Sequence, residues 1–542
     1  MSARITLANV GYEFSNGVSL FSNFNFSVQS GPLGIVGANG LGKSLLLKLM
    51  AGIEKPSHGT IQHQGKIAYV PQSWTGDASV TGAQVLGVDK ALRAWERIRQ
   101  GSVAVGDFTL VEQVFAWDFD LWQQKFLELC QLVGSPVTNA GLLTSPKPMG
   151  CYSGGEQLAI LWLSALLKKP DIVLLDEPTN HLDRPMRSQL LKWLKENNLL
   201  TLVVSHDREL LTHVVEILEL TQHGFEFHSG NYSVYQQNRQ QRIANQLQQQ
   251  YLAKGRLKKE RADAQAALEK AEQRAAKGKR KAAKRDLSKL EVDGMKDQAV
   301  VTQGKNKKLQ QNRIGTAQSH YQEVQAQMEW NKPIEFELPD SRVPSNKQIL
   351  AMKDYQSRFS QHPALSLAIQ GSRRIHIEGP NGCGKSLLLA AVAGRQTQFL
   401  GTVENFVTTA YLDQHHSTLK DSETALENYQ RLAPGFTAQE YRDRLAWLRL
   451  RAQKGQQKVA SFSGGEKLKL ALACELLGPE TPQLLLLDEP SNHLDLDSIQ
   501  ALEQAITHFA GAMIVVSHDR HFVDSLQLTD RLHLATGDIA EI

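Results

Sequence analysis

Residues 176–183 read Asp-Glu-Pro-Thr-Asn-His-Leu-Asp and follow the apolar run Ile-Val-Leu-Leu at 172–175. An apolar run that ends abruptly in two acids is typical of a buried parallel strand that brings carboxylates to its C-terminal edge. Open α/β sheets carry their functional sites at that edge. Asp176 and Glu177 leave the strand in different directions, so one carboxylate can hold a metal ion while the other polarises a water.

The chain contains this stretch twice. Residues 488–495 read Asp-Glu-Pro-Ser-Asn-His-Leu-Asp and follow four leucines at 484–487. Chance recurrence of an eight-residue string that differs at one position is negligible, so the sequence contains an internal repeat. The 542 residues suggest about two to four domains, and a mean hydropathy of −0.33 indicates a globular protein.

A glycine-rich loop precedes each acidic stretch. Residues 37–44 (Gly-Ala-Asn-Gly-Leu-Gly-Lys-Ser) and 379–386 (Gly-Pro-Asn-Gly-Cys-Gly-Lys-Ser) match the P-loop pattern G-x-x-x-x-G-K-[ST] after a predicted strand. Glycines let backbone N–H groups turn inward around phosphate oxygens, and the N-terminus of the following helix adds positive potential. We expect Lys43 to reach the β- and γ-phosphates and the Ser44 hydroxyl to bind Mg²⁺. A single match can be a turn that binds nothing, but the second copy argues against that interpretation.

The spacing between equivalent motifs locates an insertion. The offset between copies is 342 residues at Gly37 and at Gln72, but 310 at Ser153 and 312 at Glu177. The first copy therefore carries about 32 extra residues, which we place within 85–122, a predicted helical stretch. Its aromatic residues are Trp95, Phe108, Phe115, Trp117, Phe119 and Trp122. They predict either the core of a helical subdomain or an arm that touches a partner.

Two further motifs recur in the same order. Ser-Gly-Gly-Glu stands at 153–156 and 463–466, where its serine and backbone N–H groups can face a γ-phosphate from the opposite side. A histidine follows the glutamate by 29 residues in both copies, at His206 and His518. A lone histidine at a strand end is more often structural, but two at the same spacing favour a contact with the γ-phosphate.

Residues 231–330 differ from the rest in charge. They hold 21 Lys and Arg against 10 Asp and Glu, a net +11, whereas the whole chain is +4. Helix-forming composition over 240–275 and from 305 to 321 predicts an α-hairpin with a basic tip at 277–285. This charge with few aromatics suits contact with a phosphate backbone better than base stacking. A solvated linker is the alternative.

The bulk composition sets the expected compartment. No run approaches 18 apolar residues, so we expect no membrane span. The first residues lack an apolar segment, so we expect no secretory signal. The four cysteines show no paired spacing, which favours a reducing, cytoplasmic location over disulfides or a zinc site.

Five features occur in the same order in both copies: the P-loop, a glutamine (Gln72 or Gln414), Ser-Gly-Gly-Glu, the acidic stretch and the histidine. With this order the chain resembles ATP-binding-cassette (ABC) ATPases. Within that superfamily it resembles the ABC-F family, which has two cassettes on one chain, a linker between them and no membrane domain. The resemblance implies an α/β fold of two ABC-type P-loop nucleotide-binding domains, residues 1–230 and 333–542. A basic α-helical hairpin over 231–332 would join them, and the insertion at 85–122 would match the family's arm.

The resemblance implies two composite ATP sites at the interface of the cassettes. In site one, Asp176 would hold Mg²⁺ with Ser44 and Gln72, Glu177 would polarise the attacking water, and His206 would hold the γ-phosphate. In site two, Asp488, Ser386 and Gln414 would hold Mg²⁺, with Glu489 and His518 as the catalytic pair. The ATP-binding residues of site one would be Tyr12, Phe14, Gly37, Asn39, Gly40, Gly42, Lys43, Ser44, Gln72 and Asp176, closed by Ser463, Gly464, Gly465 and Glu466. Those of site two would be Gly379, Asn381, Gly382, Gly384, Lys385, Ser386, Gln414 and Asp488, closed by Ser153, Gly154, Gly155 and Glu156.

The sequence departs from the family pattern at a few positions. Leu45 and Leu387 stand where the family usually has threonine, so one hydroxyl toward the α-phosphate is absent at each site. Tyr12 or Phe14 would stack on adenine in site one, while Tyr355 and Phe359 are the candidates in site two. Both catalytic glutamates are present, so we expect both sites to hydrolyse ATP.

The predicted function is that of an ATPase whose bound ATP clamps the cassettes together and whose hydrolysis releases them. Characterised family members bind the ribosomal exit site, and their linker reaches toward the tRNA in the peptidyl site. The expected partner of this chain, as a monomer, is therefore the ribosome. The residues expected to contact rRNA or tRNA are Lys277, Lys279, Arg280, Lys281, Lys284 and Arg285.

Alternative functions share the same ATP chemistry. A ribosome-protection factor that displaces an antibiotic would favour a rigid, apolar hairpin tip, whereas this tip is rich in Lys, Arg and Ala. The energy subunit of a transporter is a further alternative, but two fused cassettes and a strongly basic linker argue against it. A DNA-maintenance ATPase would place its coil inside one cassette, whereas here each cassette is complete.

Overall fold

A computed structural model gives the structure of the protein. It describes residues 3–14, 17, 19–135, 137–180, 182–221, 224–282, 308–325, 341–359, 362–380, 382–413, 416–447, 450, 454–492 and 494–541. The chain divides into two compact units, one comprising Met1–Ser233 with Ile334–Ile542 and the other Val234–Pro333. The first unit contains both copies of the repeat.

The first copy is built on a six-stranded sheet with the order β5-β6-β7-β3-β8-β9, parallel except for β9 at one edge. A three-stranded antiparallel sheet, β2-β1-β4, covers it. Its strands are β1 (Arg4–Glu13), β2 (Ser19–Val28), β3 (Leu33–Gly37), β4 (His58–Gln64), β5 (Ile67–Val70), β6 (Ile172–Asp176), β7 (Leu200–Val204), β8 (Glu216–Thr221) and β9 (Gly224–Ser229). Its helices are α1 (Lys43–Met50), α2 (Gly82–Val85), α3 (Asp89–Arg99), α4 (Val105–Phe115), α5 (Phe119–Val133), α6 (Gly154–Leu167), α7 (Arg184–Glu196) and α8 (Arg208–Leu211).

The second copy repeats this topology, with a sheet of order β14-β15-β16-β12-β17-β18 and a smaller sheet β11-β10-β13. Its strands are β10 (Gln348–Ser357), β11 (Leu365–Gln370), β12 (Arg374–Glu378), β13 (Phe399–Asn405), β14 (Thr409–Leu412), β15 (Leu484–Asp488), β16 (Ala512–Val516), β17 (Asp530–His533) and β18 (Asp538–Glu541). Its helices are α11 (Lys385–Val392), α12 (Ala425–Leu432), α13 (Ala438–Trp447), α14 (Gly464–Leu476), α15 (Leu496–Thr507) and α16 (Arg520–Ser525). The predicted α/β fold with an internal repeat is confirmed.

The hydrophobic core fixes the strand that ends in the two acids. Every residue of β6 and of β15 is buried, as their apolar runs predict. In the first copy, Leu46 and Leu47 of α1 pack between the two sheets with Ile5 of β1 and Ile35 of β3. Because burial of each such side chain stabilises the fold by about 1.5–3 kcal/mol, α1 and the loop before it are held rigidly over the sheet edge.

The extra residues of the first copy form helices α3 and α4, within the predicted range. Isolated bridges pair Thr81 with Pro148 in the first copy and Thr424 with Lys458 in the second, so the copies match on both sides of the insertion. Arg97 and Ser102 both bond the carboxylate of Asp107, the latter at 2.8 Å, and close the turn between the two helices.

Aromatic packing inside this insertion favours the core interpretation of its sequence. Phe115 is buried, and Trp95, Phe119 and Trp122 pack against the same cluster. Trp117 is exposed and lies 5.6 Å from Phe108 between ring centroids. Most of these aromatics therefore hold α3, α4 and α5 together, which leaves a partner contact of the arm as an untested prediction.

The second unit consists of helices in its described part. Helix α9 (Tyr232–Ala282) and helix α10 (308–325) contact each other, with Arg261 donating to Gln318 Oε1 at 3.3 Å. Ala253, Leu257, Ala317 and Val324 are buried. Across the described ranges, no helix is long and apolar enough to cross a lipid bilayer.

Candidate functional site

The first P-loop joins β3 to α1. Gly37, Gly40 and Gly42 have φ values of +146°, +84° and +85°, in the region that L side chains rarely adopt. At Gly37 space is also limiting, because a Cβ there would lie 2.5 Å from the backbone oxygen of Leu220. The turn over the sheet edge therefore depends on glycine at this position.

Both P-loop lysines fold back over their own loops. The Lys43 ammonium lies 2.7 Å from the carbonyl oxygen of Gly37 and 3.1 Å from that of Ala38. Lys385 makes the equivalent contacts at 2.8 and 3.2 Å. Burial lowers the pKa of Lys43, and Glu177 opposes that effect. A cation held over a loop in this way is placed to pair with the phosphates of a nucleotide.

Two of the three predicted metal ligands, the serine and the aspartate, lie together in each copy. Ser44 Oγ donates to Asp176 Oδ1 at 2.9 Å, and Ser386 Oγ donates to Asp488 Oδ1 at 3.1 Å. Gln72 lines the same cavity as Ser44. Gln414, its predicted counterpart, lies outside the described residues, as does Asn381.

Two tyrosines that the sequence analysis did not assign hold the other oxygen of each aspartate. Tyr69 donates to Asp176 Oδ2 at 3.0 Å, and Tyr411 donates to Asp488 Oδ2 at 3.4 Å. Burial raises the pKa of both phenols, so they remain donors. The signal was present in the sequence, since each tyrosine lies three residues before the repeated glutamine.

The two glutamates occupy a strained backbone position. Glu177 and Glu489 both have φ of +47°, uncommon for a residue with a side chain. The carboxylate of Glu177 accepts from the amide of His206 at 3.3 Å, and its Oε1 lies 3.4 Å from the Nε2 of that histidine. Glu489 and His518 repeat both distances. The two pairs that the sequence predicts to be catalytic therefore have the same geometry in both copies.

Burial sets the protonation of these pairs. It raises the pKa of Glu177 and of Glu489 to about 8. It lowers the pKa of His206 to about 3 and that of His518 to about 4, with P-loop lysines adding to the effect. Each histidine is therefore neutral at physiological pH, and each glutamate is a stronger base than an exposed carboxylate.

A cavity of about 700 Å³ surrounds the first P-loop and is lined by both copies of the repeat. From the first copy it takes Lys43, Ser44, Glu177 and His206, among others. From the second copy it takes Ser463, Gly464, Ser491, Asn492 and Leu494, among others. Asp495 Oδ2 also accepts from the backbone N–H of Asn39 at 3.1 Å, a contact that the sequence did not indicate.

Comparisons with known proteins cover the P-loop, the Ser-Gly-Gly-Glu motif and the start of the acidic stretch in both copies. The family model described as "ABC transporter" matches residues 21–180 and 363–492, together more than half of the chain. "ABC transporter F family member 5" of Arabidopsis thaliana is 28% identical over 563 residues, covering 97% of this chain and 74% of that protein. The chain belongs to the ABC-F family. As a family member it binds ATP and is an ATPase.

Other relatives of this ABC-F protein span most of its length. "Probable ATP-binding protein YheS" of Escherichia coli (strain K12) is 30% identical, covering 95% of this chain and 76% of that protein. "Energy-dependent translational throttle protein EttA" of Mycobacterium tuberculosis is 28% identical, covering 91% and 84%. A solved structure titled "RNase-L Inhibitor" is similar over 97% of this chain and 87% of its own, with a TM-score of 0.51 and 19% identity, which supports the fold alone.

The Ser-Gly-Gly-Glu motifs of this ABC-F protein begin helices α6 and α14 as capping boxes. Ser153 accepts from the amide of Glu156, whose carboxylate accepts from the amide of Ser153 at 2.7 Å. Ser463 and Glu466 form the same pair, and Glu466 also binds Lys454. Glu156 and Glu466, which were predicted to bind ATP, therefore use their carboxylates to cap their own helices. The spacing S-x-x-E in the sequence indicates this capping role.

A second cavity lies beside the second P-loop, but Lys385, Ser386 and Glu489 are not among the residues that line it. This cavity of about 600 Å³ is lined by Gly379, Pro380 and His518 of the second cassette and by Asp183 and other residues of the first. Among the described residues that line it, none belongs to the 153–156 motif. The structure therefore brings Ser463 and Gly464 to the first P-loop, and does not place Ser153 in this second cavity.

The aromatic side chains predicted to stack on adenine differ in their solvent exposure. Phe14 is 43% exposed and lines the first cavity, while Tyr12 packs edge-on against it with ring centroids 5.5 Å apart. In the second copy Tyr355 is fully buried against His362, so it cannot stack on a nucleotide. Phe359 is 62% exposed and remains the candidate there.

Equivalent backbone bulges in the two copies explain why Phe359, and not Tyr355, is the counterpart of Phe14. Asn9 in β1 and Asp354 in β10 both have positive φ, at +51° and +50°. A glycine approaches each of them so closely that a Cβ on Gly59 or Gly401 would lie 2.3 Å from the bulge's backbone oxygen. These bulges are therefore equivalent, and counting on from them aligns Phe359 with Phe14.

Proposed function

We propose that this ABC-F ATPase binds the ribosome and modulates translation through ATP-driven pairing of its two cassettes. The carrying observation is the first cavity, where the P-loop of one cassette faces Ser463 and Gly464 of the other. ATP bound there touches both cassettes, so its hydrolysis can change how they pair. The name of the relative EttA, a translational throttle protein, supports a role in translation.

Each site would hold Mg²⁺ on oxygen donors. Ser44 Oγ and Asp176 Oδ1 lie 2.9 Å apart, and hydroxyl and carboxylate oxygens are the ligands that this ion prefers. Ser44, Gln72 and Asp176 would hold the ion at site one, with Ser386, Gln414 and Asp488 at site two. When bound, the ion neutralises charge on the phosphates and orients them.

The protein's own groups perform the remaining steps. The Lys43 ammonium pairs with the β- and γ-phosphates in place of its present loop carbonyls. In its ionised form Glu177 accepts a proton from the attacking water, and its raised pKa makes that carboxylate a stronger base than an exposed one. His206 is neutral and buried, and neither ring nitrogen makes a hydrogen bond within the described part of the chain. It can therefore donate to a γ-phosphate oxygen.

The linker supplies the contact with RNA in this proposal. Residues 231–330 carry a net +11, and their described part is helical. Of the six predicted contact residues, Lys277 is exposed, while the side chains of the other five lie outside the described part. We place the basic tip against rRNA or tRNA phosphates near the exit and peptidyl sites of a cytoplasmic ribosome, with one chain as the binding species.

Sedimentation of the Glu177→Gln/Glu489→Gln variant with ribosomes tests the proposal. The amides keep the shape of the side chains but cannot accept the water's proton, so ATP should stay bound and hold the cassettes together. We expect this variant to sediment with ribosomes in ATP but not in ADP. Lys43→Ala/Lys385→Ala, which removes both phosphate-binding cations, is the matched control and should stay at the top of the gradient. Retention of the first variant at the top with ATP bound refutes the proposal.

A charge variant tests the linker separately. Replacing Lys277, Lys281 and Lys284 by Gln should weaken ribosome binding and reduce its salt dependence, because each phosphate contact releases about one counterion. The matched control replaces three exposed lysines in the middle of α9, Lys254, Lys258 and Lys259, by Gln. Equal loss in both variants would show that total charge, and not the tip, sets binding.

A further inference from the structure

Arg187 of α7 reaches across the cassette interface. Its guanidinium donates to the carbonyl oxygen of His518 in the second cassette. It also lies 2.6 Å from Asp207 Oδ1 and 3.2 Å from Glu209 Oε2, both in its own cassette. The residue is 8% exposed, so these contacts are shielded from solvent.

Both ends of this bridge are loops that carry a predicted catalytic histidine. Asp207 directly follows His206, the histidine of site one. His518 is the histidine of site two, and its amide and ring lie 3.3 and 3.4 Å from the carboxylate oxygens of Glu489. Arg187 and His518 also line both the 700 Å³ and the 600 Å³ cavity. They therefore lie where the two cavities adjoin.

The position equivalent to Arg187 in the second cassette carries no hydrogen-bond donor. The offset of 312 residues between the acidic stretches places Ile499 at the position equivalent to Arg187. Ile499 is 2% exposed, and its side chain has no hydrogen-bond donor. An isoleucine cannot hold the carbonyl of His206 as Arg187 holds that of His518. The two catalytic loops are thus positioned by different means.

The helix that carries Arg187 starts at site one. Helix α7 begins directly after the stretch 176–183, and Asp183 caps it by accepting from the amide of Met186 at 3.1 Å. A shift of the site-one acids therefore moves the N-terminal turns of α7 and the guanidinium with them. In the second cassette, the equivalent position on α15 carries the apolar Ile499, and the contact of that helix with the first cassette comes instead from Glu503, which binds Arg208.

We propose that Arg187 is a positioning residue that couples the sites in one direction, setting the place of His518 and Glu489 in site two according to the state of site one. This inference rests on the assignment of Glu489 and His518 as the catalytic pair of site two. Burial acts to lower the pKa of Arg187, but Asp207 and Glu209 outweigh it and hold the pKa above its ordinary value. The guanidinium is therefore a permanent cation and a fixed donor.

Site-specific ATPase kinetics test the coupling. The Glu177→Gln background reports turnover at site two, and the Glu489→Gln background reports turnover at site one. Arg187→Met should lower kcat of site two by about 10- to 100-fold, because a small misplacement of catalytic groups has an effect of that size. KM for ATP should stay within about twofold, since Arg187 does not belong to the P-loop. Turnover of site one in the same variant should fall less than that of site two, because Asp207 stays placed by accepting from the amides of Glu209 and Leu210 without Arg187, and the remaining turnover shows that the protein is folded.

Two further variants sharpen the result. Lys192→Met removes an exposed cation from the same helix and should change neither site. Arg187→Lys keeps the charge but loses the forked guanidinium that binds a carbonyl and a carboxylate at once. The kcat of site two in this variant should therefore lie between that of the parent and that of Arg187→Met.

Equal loss at both sites in Arg187→Met overturns the inference in favour of a purely structural role, and so does unchanged turnover at site two. If the Glu177→Gln/Glu489→Gln protein retains ATPase activity, the site assignment fails, and the inference fails with it. That result is distinguishable because it appears before Arg187 is changed.

Discussion

Replacing Leu45 by Thr should tighten ATP binding at site one. Leu45 is the third residue of α1, directly after Ser44, and its partly buried side chain lines the 700 Å³ cavity. The family pattern has threonine here, with a hydroxyl that faces the α-phosphate. A threonine on this turn would add one donor to the phosphate-binding loop without disturbing the core residues Leu46 and Leu47.

The expected gain follows from the place of the side chain. A hydrogen bond to a charged group contributes about 1.5–3 kcal/mol when it is buried, and a neutral one about 1 kcal/mol. Leu45 lies on the wall of an open cavity and is only partly buried, so water competes for the hydroxyl. We therefore expect Leu45→Thr to strengthen ATP binding by about 1–1.5 kcal/mol, which corresponds to a Kd for ATP about five- to twelvefold lower.

Equilibrium titration with a fluorescent ATP analogue measures this effect. Glu177→Gln prevents hydrolysis, and Lys385→Ala suppresses binding at site two, so the signal comes from site one. Leu45→Val is the matched control because valine has the shape and the β-branching of threonine without the hydroxyl. The comparison of Thr with Val thus isolates one hydrogen bond.

The reasoning is refuted if the threonine and valine variants bind ATP equally well. Leu387→Thr offers an independent repetition at site two, in the Glu489→Gln/Lys43→Ala background, and should show a gain of the same sign. A gain at only one site would mean that the two P-loops hold the α-phosphate differently.

Three further outcomes follow from other contacts. Tyr69→Phe, assayed in the Glu489→Gln background, should raise the Mg²⁺ concentration for half-maximal ATPase activity about tenfold. The reason is that Asp176 loses the hydroxyl that orients it. An unchanged Mg²⁺ dependence would contradict this role of Tyr69. The nucleotide-free protein in EDTA should lose stability as pH rises from about 6.5 to 8, because Glu177 and Glu489 have pKa values raised to about 8 and the folded state binds more protons than the unfolded state in that window. Between about pH 5 and 6.5 the lowered pKa values of His206 and His518 act in the opposite direction and offset this loss. Glu177→Gln/Glu489→Gln should flatten that slope in thermal melts, and a slope as steep as the parent's would argue against it. Glu503→Leu leaves Arg208 buried without the carboxylate that it binds at 2.7 and 3.0 Å, at a cost of about 3–5 kcal/mol to cassette pairing. Hydrogen exchange at α8 and α15 should rise in Glu503→Leu and fall back in Arg208→Met/Glu503→Leu, whereas additive effects would show that the pair is not coupled.

Much of the fold was readable from the sequence because its determinants are local. Four consecutive apolar residues before an acidic pair require a buried strand wherever they occur, and the structure buries all of β6 and β15. A glycine-rich loop before a lysine and a serine likewise fixes its own turn. The repeat then supplied a second, independent copy of each motif, which also located helices α3 and α4 within the insertion.

Some local signals were present but went unused. Ser153 and Glu156 form a capping box with the spacing S-x-x-E, and Tyr69 recurs as Tyr411 in the strand before the glutamine. Tyr355 was a poor choice for adenine stacking because its side chain lies in the core of the second cassette. Aromatic character alone does not tell which face of a strand a side chain occupies.

The sequence by itself determined the two cassettes and their P-loops and predicted the acids and histidines of both sites, since each depends on residues close together in the chain or on their repetition. Only the tertiary structure decided which residues meet across the interface. Asn39 with Asp495, Arg187 with His518 and Arg208 with Glu503 are separated by 456, 331 and 295 positions. These contacts depend on how one cassette is rotated against the other, and no periodicity or motif within either cassette encodes that rotation.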